Sequence, residues 1–414
     1  VNPASLLLLL ICSVTALKLG LAWRQIRHVT LHRGSVPSRF AERISPEAHA
    51  HAADYTVAKS QLTMISLLLE AGLALAFTLG GGIAWLVASI AGITDHRLLQ
   101  GIALFAAVAA ISSAAELPLS VYRTFVLEER FGFNRITVKL WLQDFIRGTG
   151  LAIGIGAPLA AGVLWMMDAL GERWWWWTWL AWMAFNVLML AIYPSWIAPL
   201  FNRFTPLADE SLRERVEALM RQCGFAASGL FVMDGSRRSA HGNAYFTGFG
   251  RTKRVVFFDT LLARLKAEEI EAVLAHELGH FARRHVLQRI ALMFASSLAV
   301  LALLGHVGND VLLREALGIP AGSAAALLVF FSFTLPYLLF PIQPVMSAWS
   351  RLHEFEADAY AARHANPASL VSALVKLYQD NAATLTPDPW HSAMYDSHPT
   401  ALTRITRLDR LTHA

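Results

Sequence analysis

Residues 271–306 read EAVLAHELGHFARRHVLQRIALMFASSLAVLALLGH. The first half sets small and apolar residues at helical spacing around a His-Glu-x-x-His pattern, His276 to His280. The second half, from about Val286 to Val307, is an apolar run long enough to cross a bilayer core, which takes about 20 residues. His280 and Val286 are six residues apart, roughly 9 Å along a helix. Whatever chemistry the histidines support is therefore expected at a lipid boundary, serving substrates that arrive at or within the membrane.

Two histidines four residues apart lie on one helix face, where both imidazoles can hold a single metal ion. Glu277 faces the open side of such a site. It can take a proton from a water at the metal and pass it to a leaving amine. Zinc suits this work, as a Lewis acid that keeps one position open. The short pattern also fits a surface helix with two solvated histidines. The flanks EAVLA and LGHFA argue against that, because they bury the helix, and buried His and Glu need partners.

A third ligand is expected to be an acid on another helix. RLHEFEADAYA (351–361) offers Glu354, Glu356 and Asp358. Glu354 and Asp358 share a helix face. Glu354 as ligand, with Asp358 orienting a ligand from behind, is the self-consistent choice. Glu356 is the rival, and His353 lies off that face.

The rest of the chain agrees with a membrane setting. Of 414 residues, 55% are hydrophobic and 16% charged, too apolar for an ordinary soluble domain. Seven apolar runs stand out, at about 5–23, 64–92, 98–121, 150–168, 176–200, 286–307 and 323–349. The first is read as a retained span. Loops rich in Arg and Lys alternate with poor ones: Arg24 to Lys59 and Arg123 to Arg147 on one side, Arg97, Arg173 and Arg314 on the other. This places the N-terminus outside and the C-terminus in the cytoplasm. The pI near 9.4 then needs no nucleic-acid partner, because basic loops facing anionic lipid explain it. Cys12 and Cys223 cannot form a disulfide framework, which is consistent with a reducing compartment. RWWWWTWLAW (173–182) is read as an interfacial Trp belt, and Arg283, Arg284 and His285 as the anchor of the sixth span. Glu70, Glu116 and Asn186 fall in spans, where such groups line a chamber or mark a misplaced span end.

The chain divides into spans one to five with their loops (1–200), a catalytic segment (201–284), spans six and seven (285–349) and a C-terminal segment with the third ligand (350–414). In the first soluble segment, ADESLRERVEALMRQCGF reads as a helix stopped by Gly224. GLFVMD, NAYFTGF and KRVVFFD read as strands. Asp259 is expected to cap the helix that follows. In the second, SRLHEFEADAYAARHA, a helix capped by Asn366 with Pro367 at its first position, and the amphipathic PTALTRITRLDRL make an α+β cap.

Taken in order, FVLEERFGFN (125–134), YPSWIAPLFNRFTPL (193–207), SRRSAHGNAYFTGF (236–249), HELGH (276–280), EFEAD (354–358) and SHPTALTRI (397–405) resemble the CAAX prenyl protease 1 family of integral-membrane zinc endopeptidases. The resemblance runs along nearly the whole chain. It implies a mostly α, polytopic fold: a barrel of seven transmembrane helices around an internal chamber, capped by a small zincin-type domain. It also implies one zinc ion on His276, His280 and Glu354, with Glu277 as base and His398 near the scissile carbonyl. Asn243, Ala244 and Tyr245 match the start of a strand that holds the substrate backbone, and Arg404, in the block of His398, is expected with them at the substrate. Glu356 stands where many relatives carry an uncharged amide, and SHPT replaces a double proline.

The expected activity is cleavage near the C-terminus of lipidated or membrane-tethered proteins, in membrane lipid; the Ala- and Arg-rich composition looks bacterial, which suggests an inner membrane. The alternative is a broad quality-control protease of the HtpX type, which has fewer spans. A channel or transporter leaves the four polar residues of the cap unexplained and predicts half-repeats that the sequence lacks.

Overall fold

The computed structural model describes residues 2–225, 229–247 and 254–412. Gly248 and Phe249, at the end of the second strand-like piece, lie outside the described residues. Among the described residues, seven helices are long and apolar enough to cross a membrane: Pro3–His32, Pro46–Phe77, Arg97–Arg130, Val138–Ala169, Gly171–Phe201, His285–Gly308 and Ala324–His364. The sixth span packs on the fifth, the fifth on the fourth, and so on to the first, which packs on the seventh.

The second span differs from its sequence reading. The run at 64–92 is two helices, because the chain breaks after Phe77 and resumes as Gly82–Ala91. Gly81 takes a positive φ of 75°, a backbone shape that costs glycine little. A Cβ on Gly80 or Gly82 would sit 2.8 Å from the Ala76 carbonyl oxygen. The helix also starts far earlier, at Pro46, where the Ser45 hydroxyl accepts the Ala48 N–H. Its first turns are polar because they pack beside the cap; Tyr55 donates to Glu128, at the end of the third span.

The cap is built on a four-stranded sheet. Its strands are β1 (Phe204–Pro206), β2 (Gly229–Met233), β3 (Ala244–Thr247) and β4 (Arg254–Phe258), in spatial order β1-β2-β4-β3. β2 and β4 run parallel, and the outer pairs are antiparallel. β1 escaped the sequence reading: it is three residues long and holds Pro206, which only an edge strand accepts. Asp259 does not cap as expected. Its carboxylate takes the N–H and hydroxyl of Ser236 and so ties the loop after β2 to the end of β4.

Helix Glu210–Gln222 lays Leu212, Val216, Leu219 and Met220 on the core, and helix Ala267–Ala282 adds Ile270, Leu274 and Leu278. Each such Leu or Val contributes about 1.5–3 kcal/mol. Two clasps hold cap to spans. Arg238 grips Asp144 of the fourth span with both ends of its guanidinium (2.8 and 3.0 Å) and the Phe201 carbonyl (2.6 Å). Arg24 of the first span donates to the Asp388 carboxylate, and the Gln25 side-chain oxygen accepts the Asp388 backbone N–H at 2.7 Å.

The ring closes through the cap. The seventh span turns once at Phe340–Ile342 and continues as helix Gln343–His364. That helix packs along Ala267–Ala282, whose chain runs on into the sixth span after two residues.

Candidate metal centre

Helix Ala267–Ala282 is fixed at its start and along its buried face. The Lys266 N–H donates to Glu269 at 2.7 Å, closing the first turn. Glu269 also accepts from Ser372 and Lys376 of helix Pro367–Asp380, each at 2.7 Å. His276 and His280 follow on the face that meets helix Gln343–His364. The two helices touch at Gly279: a Cβ there would lie 2.9 Å from the Ala357 Cα. Glycine is needed for this approach, and the approach lets Glu354 reach the imidazoles.

One ligand atom from each of His276, His280 and Glu354 lies within 4.8 Å of the other two. The two Nε2 atoms are 3.3 Å apart. The carboxylate puts one oxygen 3.4 Å from His276 and the other 3.3 Å from His280. Bonds of about 2.0–2.1 Å to a tetrahedral ion put ligand atoms roughly 3.3–3.4 Å apart. The Glu354 Oε2 is buried and has no hydrogen-bond donor among the described residues. The Arg404 guanidinium stands off from it at 3.8 Å, beyond hydrogen-bond reach, so a buried carboxylate facing two ring nitrogens across such gaps is satisfied by a shared cation. The donor set therefore fits a divalent metal.

His276 is oriented by its neighbours. Its Nδ1 lies 2.9 Å from Asp358, which is held in turn by Arg404 at 2.6 and 3.0 Å. Asp358 and Arg404 are 1% and 5% exposed, so this support is sealed from water. Donation of the Nδ1 proton to Asp358 leaves Nε2 with a lone pair for the metal. Burial lowers the affinity of His276 for a proton, but Asp358 and Glu354 outweigh it and raise the group to about 9. Carboxylates that draw a proton onto this ring in metal-free protein also draw a cation. Burial pushes the Glu277 carboxyl up, against the pull of His276 and His280.

The other sequence-predicted residues sit as follows. Glu356 turns away from the ligands, with its side chain 52% exposed, and meets His285. His353 is buried beside His285. His398 has its side chain 61% exposed, with Nε2 3.5 Å from Glu354. Arg404, expected at the substrate, is packed behind the ligands. Asn243 is exposed before β3; its side chain accepts the Ala244 N–H at 2.8 Å. Ala244 and Tyr245 pair with Phe257 and Val256, which leaves the outer edge of β3 unpaired among the described residues. Glu70 and Glu116 are exposed on their spans, and the Asn186 amide turns back to the Trp182 carbonyl.

Two family models match the chain. Residues 25–203 match the family model described as CAAX prenyl protease N-terminal, five membrane helices, and residues 206–412 match peptidase family M48. CAAX prenyl protease 1 of Saccharomyces cerevisiae is 36% identical over 326 residues, 75% of this chain and 72% of the relative. The Arabidopsis thaliana homolog is 37% identical over 318 residues (76% and 74%), and the human homolog 28% over 431 (93% and 90%). The crystal structure of S. mikatae Ste24p superposes with a TM-score of 0.91 at 30% identity, covering 99% of both chains.

Proposed function

This chain belongs to the CAAX prenyl protease 1 family of multi-pass membrane metallopeptidases, and on that footing we propose a zinc endopeptidase that cuts near the C-terminus of lipidated or membrane-tethered proteins. The observation that carries the reading is the convergence of His276, His280 and Glu354 where the cap meets the sixth and seventh spans. These three residues would hold the zinc ion. Bound there, it supplies a Lewis acid that polarises the scissile carbonyl and lowers the pKa of water.

The rest is the work of the chain. Glu277, its carboxyl pushed up by burial, takes the proton of the attacking water and returns it to the leaving amine. His398, facing the open side of Glu354, donates to the oxygen on which charge develops. The free edge of β3, from Asn243 through Ala244 and Tyr245, takes the substrate as an added strand, so backbone bonds supply affinity without fixing one sequence. Arg404 holds Asp358, and through it His276, rather than the substrate. Segments 201–284 and 350–414 together form the catalytic cap on the cytoplasmic side, with the N-terminus outside, as the loop charges support. The Ala- and Arg-rich composition supports a bacterial inner membrane. A lipid tail remains in an apolar setting beside the spans while its peptide reaches Glu277.

The test pairs a farnesylated peptide with its unlipidated twin. Preferential cleavage of the lipidated one is expected; equal rates move the function to general quality control. Glu277→Ala is expected to keep its zinc and lose about 10²–10⁴-fold in cleavage rate. Undiminished cleavage removes Glu277 from the mechanism.

A further inference from the structure

The two ligand histidines are backed by different arms, and the arm behind His280 has no assigned role. Its Nδ1 lies 2.9 Å from Nδ1 of His285, whose Nε2 lies 3.1 Å from Glu356. His285 is 1% exposed. The His353 ring lies flat on it, centroids 3.9 Å apart and planes 5° from parallel. His353 is steadied by Gln288 at 3.1 Å and by the edge of Trp349. The ring of His285 therefore has one available position.

The proton positions follow from the contacts. An imidazole that gives its Nε2 lone pair to a metal carries its proton on Nδ1. The Nδ1–H of His280 then needs an acceptor, and Nδ1 of His285 is the atom in reach. His285 must accordingly carry its proton on Nε2, where the Glu356 carboxylate accepts it. Each nitrogen in the row has one role, and no two protons meet.

The backbone supplies the geometry. Arg284, between the His-Glu helix and the sixth span, adopts φ 57°, ψ 29°, a left-handed shape that costs a residue with a Cβ about 1–2 kcal/mol. That turn folds His285, the first residue of the span, back under His280. The strain is held in place by the row of contacts it makes possible.

We propose that His285 and Glu356 are positioning residues for the metal. They fix the tautomer and ring plane of His280, as Asp358 and Arg404 do for His276, with one arm buried and the other ending at the surface. The proposal rests on the metal site described above, and the experiment separates the two. Zinc affinity of the full chain in detergent is measured by competition with a chromophoric chelator, and unfolding of the metal-free protein is followed in parallel. His285→Phe keeps the stacked ring and removes the acceptor; zinc is expected to bind roughly 10–100-fold more weakly. Glu356→Ala, at the exposed end, should weaken zinc about tenfold, and Glu356→Gln, whose amide oxygen still accepts the Nε2 proton, should recover to within about threefold of wild type. Metal-free unfolding of both Glu356 variants should match wild type. Unchanged zinc affinity in Glu356→Ala overturns the proposal even where His285→Phe fails to fold, and so does a Glu356→Gln variant as weak as Ala. Wild-type protein that binds no zinc overturns the metal site itself.

Discussion

Cap and ring hide their side chains by different rules. In the cap, Val216, Phe257, Leu278 and Leu408 are fully buried, and the buried Glu269 and Asp358 are paired. In the ring, 6% of the apolar window of the fifth span is buried, and 11% of the fourth and sixth. Water drives the first arrangement; lipid supplies no such force between helices. A wall of spans around an open interior exposes both faces of each helix. The seventh span is the exception, at 44%, because its apolar part (Ala324–Leu339) packs on the first, second and third spans and on helix Gly82–Ala91; beyond it the same chain continues as the post that carries Glu354 into the cap.

The largest effect should come from cutting that post at its tip. Glu354→Ala leaves two imidazoles without their carboxylate, so metal analysis of purified protein should fall from full occupancy to below about a tenth. Retained metal would hand the ligand role to Glu356 and detach the post from the site. Next is a pair of glycines. Gly279→Ala drives a Cβ against the backbone of Ala357 and should cost about 1–3 kcal/mol in thermal unfolding. Gly156→Ala, in the fourth span with nothing within 4 Å of its Cβ position, should leave the melting temperature unchanged or raised, since Ala favours helix by about 1 kcal/mol. Equal costs would mean that cap and ring pack alike.

The smallest effect tests the clamp at the start of the His-Glu helix. Burial acts to raise the Glu269 carboxyl, but Lys376, the Lys266 N–H and Ser372 hold it below its ordinary range. A depressed folded value adds stability that is complete above the unfolded value, about 4.3, and is lost as pH falls through the folded one. Glu269→Gln should therefore cost about 1 kcal/mol at pH 7, and its unfolding curve should approach that of wild type as pH falls below the unfolded value and through the folded one, both measured without metal. A gap that widens in acid would reverse the sign of this clamp.

Much of this was legible where pattern and chemistry coincide. His276 and His280 are four apart on a helix too apolar to be exposed. Glu354 and Asp358 share a face, which is where the structure brings them to the imidazoles. Seven runs gave seven spans because bilayer thickness sets their length. The misses have local causes. Hydropathy cannot see that Gly80 to Gly82 split a run, or that the second span begins in polar residues beside the cap. β1 is too short to carry a period. His285 reads as a membrane anchor until the left-handed turn at Arg284 is known, and no spacing rule foretells that turn. Arg404 looks like any basic residue of an amphipathic helix; only its place behind Asp358 gives it a purpose.

The path of the chain also orders its biogenesis. His276 and His280 precede the sixth span, and Glu354 follows the hydrophobic part of the seventh. In a nascent chain the imidazole pair therefore emerges long before Glu354, and the three side chains come together only once both hairpin arms have been threaded across the bilayer.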